Sequence, residues 1–499
     1  MVKKLTTIAQ LGRCKSVLGY DQMVFMPKTP EASAERGAQL SALAGLIHQQ
    51  KTDKTILELI DQALASVSPD EKDQIRLLEL ERKAFLEDEC IPSELAAKSA
   101  ELSATAQQTW GAARQANDFA MFQPKLEDCF ATAKQIAECK RQGLGNQDKI
   151  SLYTQMLDGF ETGMSQERLD KLFEPIPPAL RELITKVTES PHQPNLDILK
   201  CDIPLANQKE VAKKLVTAIG YNDAMGRIDE AAHPFTSSSS RSDVRITSRF
   251  KNGEWLEGVL ATLHEGGHAI YEQNLGPLPL SIDSALSMGA HESQSLFWER
   301  HVGKSKAFCK YALPIMREGY GEPFANVTAD ELYRAMNHVR PSFIRVEADE
   351  LTYPLHVILR YNMERDIVDG KLSVSEMPSR WNDVMKQFLG VDVPTDAQGC
   401  LQDVHWSVMA IGYFPTYLLG SMTAAQLAHY CAMDIPNMEQ LIEQGEFTPL
   451  REWLTDKIHR HGKRYESLDH MLQAQLGEPL NPQYFIDYVT QKYSDLYQL

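Results

Sequence analysis

The chain contains no C-x-x-C pair: its eight cysteines, at positions 14, 90, 129, 139, 201, 309, 400 and 431, are scattered along 499 residues. Thiols dispersed in this way read as reduced cysteines of a cytosolic protein. No apolar run approaches the ~18 residues of a membrane span. The nearest, Trp406 to Met422, is broken by Pro415, two glycines, two tyrosines and two serines. Met1 to Gln10 carries basic residues without the apolar stretch of a secretory signal, so a soluble, cytoplasmic protein that engages no membrane is expected. Positive charge is scarce too, with 51 Lys and Arg against 68 Asp and Glu and a net charge of −17. Nucleic-acid binders concentrate basic residues, so no nucleic-acid partner is expected and the acidity reads as solubility.

Also missing is any repeat of fixed period or break in composition that would mark a boundary. Length alone would allow about three domains, yet the reading is one domain over residues 1–499, with 43% hydrophobic residues to fill a large core. Helix dominates. Residues 30–150 are rich in Ala, Leu, Gln, Glu and Lys and poor in glycine, and Leu40, Leu43, Leu46 and Ile47 recur at helical spacing. Proline clusters mark residues 187–205 and 272–283 as loops. One stretch differs. The serine run after Thr236 reads as a turn, and Val244, Ile246, Ser248 and Phe250 then alternate with Arg245, Thr247 and Arg249 as a half-exposed strand would. Such an edge strand either holds an extended peptide by main-chain hydrogen bonds or belongs to a small structural hairpin.

Against this background stands His264-Glu265-Gly266-Gly267-His268. Leu256, Val259, Leu260, Leu263, Ile270 and Tyr271 form an apolar stripe around it, and Gly276-Pro277 supplies a stop, which predicts a helix over roughly residues 253–274. Histidines four apart lie one turn apart on such a helix, so both imidazoles reach one cation while Glu265 faces its water. Gly266 and Gly267 each weaken the helix by about 1 kcal/mol relative to Ala. That cost points to close approach of another backbone or of substrate.

A catalytic zinc takes three protein ligands and keeps one position open. The third is sought in a second helical pattern from Ser284 to Glu299, where Glu292 lies far enough past His268 for a turn and a return helix. Glu299 and His301 are rivals on that helix, and His291 points about 100° away from Glu292.

Six motifs, taken in order, carry a resemblance to the carboxypeptidase Taq family of metallocarboxypeptidases. They are His233-Pro234-Phe235, Asp243-x-Arg245-x-Thr247, the pentad, His291-Glu292-Ser293-Gln294, Ile344-Arg345-x-x-Ala348-Asp349, and Gly399-x-x-Gln402-Asp403-x-His405-Trp406. Flanking matches at Asp21-Gln22, Met26-Pro27, Trp110, Arg114, Asn117-Asp118-Phe119, Ile458-His459, His461-Gly462, Lys492-Tyr493 and Tyr497 extend it over roughly residues 17–497. Tyr20 stands where the family usually shows Trp, far in sequence from the pentad. The resemblance implies a mainly α, single large helical domain of neurolysin-like zincin architecture, with a deep cleft, a small β-sheet next to the metal helix, and a homodimer. It implies Glu292 as third ligand to Zn2+, replaceable by Co2+ or Mn2+. The implied activity is release of single residues from peptides with a free C-terminus, with broad side-chain tolerance.

Chemistry assigns the remaining roles. Glu265 is the general base for a metal-activated water. His405 is the first candidate for the donor that stabilises the tetrahedral oxyanion, and Tyr413 or Tyr417 comes next. Arg345 is the best placed anchor for the substrate carboxylate, against the alternative of an ion pair with Asp349 four residues on along a helix. Arg245 is a weaker rival, and His233 either contacts substrate or lines the cleft. A helical endopeptidase or dipeptide-releasing enzyme, and a non-catalytic metal-binding scaffold, are the competing readings; Glu265 counts against the last, because a structural metal needs no base.

Overall fold

The computed structural model describes residues 1–499. Helices follow one another from Val2–Val24 to Gln483–Tyr497, and the only sheet has three strands, β1 (Gly226–Glu230), β2 (Phe235–Ser240) and β3 (Asp243–Ser248). One contiguous cluster of 99 buried residues runs from Leu102 to Tyr497, so no seam divides that span. The first four helices contribute no residue to it. The first, third and fourth share a small cluster of Leu5, Ile56, Ile60 and Leu78. The helix expected around Leu40, Leu43, Leu46 and Ile47 forms as Pro30–Lys51, capped by the Thr29 hydroxyl, but none of its residues is buried.

At the centre lies the helix Pro415–Asp434, whose side chains from Leu418 to Leu427 are all buried. This explains the longest uncharged stretch of the chain: a helix covered on every side needs no polar face. No helix is long and apolar enough to cross a membrane. All eight cysteines are free.

The sheet departs from the expectation in two ways. The serine run is not a turn: it is β2, antiparallel to β3, with a bulge at Ser238 and Ser240 and only Arg241-Ser242 as the turn. Serine hydroxyls satisfied locally, such as Ser239 on Asp243, let a low-propensity sequence hold a strand that its neighbours template. The alternating segment, β3, is central rather than at an edge, because β1 pairs with it in parallel on the other side, from Gly226 opposite Val244 to Glu230 opposite Ser248. The edge strand beside the pentad helix is therefore β2.

Candidate metal centre

The pentad helix spans Trp255–Gln273, as its periodicity predicts. Its two glycines do different things. A Cβ on Gly267 would lie 2.6 Å from both the Gln294 carbonyl oxygen and the Ser295 Cα, so this glycine lets the return helix Met288–Leu296 cross backbone against backbone. Gly266 instead makes room for the Val216 side chain, 2.3 Å from where its Cβ would be. The expected backbone approach thus holds at Gly267, and a side chain explains Gly266.

That close crossing delivers Glu292. Its Oε2 lies 3.6 Å from His264 Nε2 and 3.4 Å from His268 Nε2. Donor atoms bonded at ~2.0–2.2 Å in a tetrahedral shell are separated by about 3.3–3.6 Å, so the three side chains fit one zinc-sized cation. A third element makes space for the carboxylate stem: a Cβ on Gly420 of the central helix would sit 2.5 Å from Glu292 Cγ.

The rival ligands have other duties. Glu299, in the π-helical turn Phe297–Gly303, accepts a hydrogen bond from His264 Nδ1 at 2.8 Å, which leaves Nε2 free to face the cation site. His301 lies over the Tyr488 ring, 4.2 Å between centroids, outside the triad. His291 turns from Glu292 and stacks on His268 with centroids 4.4 Å apart. Burial alone would lower the His264 pKa, but the carboxylates of Glu292, Glu299 and Glu265 override it and hold the ring at about 9. Burial likewise works against ionisation of Glu299, and the bond to His264 wins, leaving it at about 2. Such a site is electrostatically prepared for a cation.

Glu265 is buried and points to β2, where the Thr236 hydroxyl donates to its Oε2 at 2.6 Å. Thr236 follows the His233-Pro-Phe motif and was not among the expected site residues. Tyr20, remote in sequence, is near in space. It is buried, its ring meets Phe235 edge-on at 5.7 Å, and its hydroxyl donates to Asp229. The first helix is thereby pinned beside the strand that holds Glu265.

Opposite lies an aromatic and basic wall. His405, Tyr413 and Tyr417 cluster with ring centroids 5.3 to 6.0 Å apart, and His405 Nε2 is 3.1 Å from the Tyr417 hydroxyl. Tyr417 lies three residues before Gly420, on the helical face that meets Glu292. Burial pushes the His405 pKa down to about 4, so the ring is neutral at neutral pH, and pushes Tyr417 up to about 12, so its hydroxyl keeps its proton.

Arg345 does not pair with Asp349, and residues 345–349 are not on one helix. Asp349 instead accepts backbone N–H bonds from Arg340, Leu351 and Thr352 at the start of helix Tyr353–Val368. The Arg345 guanidinium is buried and gives Nε and Nη2 to Asp403 Oδ1, at 3.0 and 2.9 Å. Arg360 takes the other oxygen of Asp403 at 2.6 Å. Only Arg345 Nη1 remains, 3.4 Å from the Tyr353 hydroxyl, so the two-pronged fork is already committed and one nitrogen is left for a ligand. Arg245 forms its own two-pronged pair with Asp243, at 2.7 and 2.8 Å, and covers the Tyr20 ring. His233 is exposed, and only its carbonyl is engaged, by Thr247. The structure therefore gathers His264, Glu265, His268 and Glu292 at one point, places His405, Tyr413 and Tyr417 together, and leaves Arg245 and His233 at the sheet.

The sequence profile of the carboxypeptidase Taq (M32) metallopeptidases matches residues 1–493. Carboxypeptidase 1 of Bacillus subtilis is 37% identical over 500 residues, covering 99% of this chain and 97% of that protein. Thermostable carboxypeptidase 1 of Pyrococcus furiosus is 33% identical, with 99% and 97% covered. Among solved structures, the M32 carboxypeptidase from Deinococcus radiodurans superposes with a TM-score of 0.95 at 33% identity, covering 100% of this chain and 99% of that one.

Proposed function

Because the chain belongs to the carboxypeptidase Taq (M32) family and is a metallocarboxypeptidase, we propose that it releases single residues from the free C-terminus of peptides, with broad tolerance, using zinc at His264, His268 and Glu292. The observation that carries this reading is the convergence of the two Nε2 atoms on Glu292 Oε2, one residue from a carboxylate held by Thr236. Zinc bound there supplies a Lewis acid that brings the pKa of a coordinated water toward ~7 and polarises the scissile carbonyl; Co2+ or Mn2+ would serve the same donors. Glu265 takes the proton of the attacking water at its carboxylate and delivers it to the leaving amine. Neutral His405 and the protonated Tyr413 and Tyr417 present donors to the developing oxyanion, where one good donor contributes roughly 3–4 kcal/mol. Arg345 Nη1, backed by Arg360, meets the terminal carboxylate as a single charged donor; Asp403 leaves this trio a net positive charge. Arg245 and His233 contribute to the cleft wall through β2 and β3.

A cytoplasmic homodimer acting as one catalytic domain per chain completes the proposal. The free cysteines support a reducing compartment.

The test is a matched pair of peptides with free and amidated C-termini, incubated with and without chelator and followed by mass spectrometry. A ladder shortened one residue at a time from the free peptide, absent from the amidated one and abolished by chelator, is expected. Internal cleavage of both peptides would establish the endopeptidase reading; release of dipeptides would displace the single-residue reading.

A further inference from the structure

The two metal-facing histidines are held differently from behind. His264 is backed directly by Glu299. His268 is backed by another histidine: its Nδ1 lies 2.6 Å from His291 Nδ1 and 3.1 Å from the His291 carbonyl oxygen. The far nitrogen of His291, Nε2, lies 3.0 Å from Glu272 Oε1. Glu272 sits on the pentad helix one turn past His268 and, with Ser238 of β2, lines a cavity of about 630 Å³.

We propose that Glu272 locks the protonation pattern of a Glu272–His291–His268 chain so that His268 always offers an unprotonated Nε2 to the metal. For Nε2 of His268 to ligate, its single proton must reside on Nδ1. Two N–H groups cannot face each other at 2.6 Å, so Nδ1 of His291 must carry a lone pair and Nε2 of His291 the proton. That proton needs an acceptor, and Glu272 Oε1 is it. Without Glu272, His291 is free to carry its proton on Nδ1. Against the pull of the His291 carbonyl oxygen, a His291 Nδ1–H at 2.6 Å then pushes the His268 proton toward Nε2, the nitrogen that the metal requires. Stacking of the two rings, tilted by only 29°, keeps the chain aligned. Glu272 and His291 are thus positioning residues that act on the metal through His268. Partners placed like this typically change metal affinity by 10–100-fold.

The inference rests on the zinc site proposed above. Zinc affinity is read by competition with a chromogenic chelator, with the circular dichroism and melting temperature of the metal-free protein as controls for folding. Glu272→Leu is expected to weaken zinc binding 10–100-fold with an unchanged metal-free fold. Glu272→Gln, whose amide oxygen still accepts from His291, is expected to stay within about 3-fold of the wild type, as retention of the acceptor requires. His291→Phe keeps the stacked ring but leaves no nitrogen that could donate to His268 Nδ1, whose proton retains the backbone carbonyl of residue 291, so adding Glu272→Leu in that background is expected to cost no further zinc affinity. Wild-type affinity in Glu272→Leu overturns the lock, as does a further loss on adding Glu272→Leu to His291→Phe, or a Glu272→Gln as weak as Glu272→Leu, which would mean that charge alone matters. A wild-type protein that binds no zinc overturns the metal site itself.

Discussion

Thr236 is one hydroxyl on an edge strand, and it sets where the base points. Its bond to Glu265 Oε2 is short, 2.6 Å, and its acceptor is a buried carboxylate, so the contribution belongs to the charge-assisted class of about 1.5–3 kcal/mol. Thr236→Val, of equal shape without the donor, is expected to lower kcat roughly 10- to 100-fold while zinc content stays stoichiometric. Thr236→Ser should recover most of the loss. Equal rates for Val and wild type in steady-state assays would show that Glu265 needs no such support. The residue was invisible as a functional position in the sequence because its role depends on a strand lying against the pentad helix, and its neighbours are four serines that look like a turn. Glu265, His264 and His268, by contrast, were legible from spacing within a single helix.

Among elements, the decisive event is the approach of three helices at Glu292. Gly267 lets the return helix touch the pentad helix, and Gly420 lets the central helix touch Glu292. Overpacking of a close contact costs typically 1–3 kcal/mol, but at Gly420 the strain falls on a metal ligand. Gly420→Ala is therefore expected to reduce zinc affinity by at least about 10-fold, in proportion to that strain, measurable by titration calorimetry, with helical content unchanged. Unaltered affinity would mean that the Glu292 side chain relaxes without leaving the site. Gly267 announced itself in the sequence as a costly residue inside a helical pattern. Gly420 did not, because an apolar helix with one glycine reads the same whether the gap is filled by a methyl group or a carboxylate stem. Strand β2 failed for a related reason: its partner β3 supplies the order that its own composition lacks.

For the whole molecule, buried ionisable groups set the response to acid. His301, His356 and His459 are held near pKa 3 and His405 near 4, each by burial against an ordinary value of 6.5. Between those limits the unfolded chain binds more protons than the native one, so stability falls as pH drops through that window. Glu161 and Glu364 act oppositely. Burial raises each to about 7 from 4.5, so in the native state they bind protons that the unfolded chain has released, and they favour folding as pH falls from 7 toward 4.5. Four histidines outweigh two carboxylates, and metal ligands that must be unprotonated add to the histidine side. The guanidinium midpoint of the zinc-loaded protein is expected to be lower at pH 5 than at pH 7.5; an equal or higher midpoint at pH 5 would show that the carboxylates dominate.

At this scale the helical class, the absence of a membrane-spanning helix and the acidic surface were all determined by sequence, since each depends on composition or on periodicity within one segment. So were the two histidines and the base, which a single helix places together, and the six motifs that carry the resemblance. Glu292 was one of three open candidates by spacing. Only the tertiary structure decided that Glu299 and His291 stand behind the ligands, that Arg345 is committed to Asp403, that the serine run is the edge strand, and that Tyr20 belongs beside the site. Each of these is a contact between segments distant in the chain. Local physics fixes which face a side chain occupies, whereas its partner across a helix crossing depends on packing that no single segment encodes.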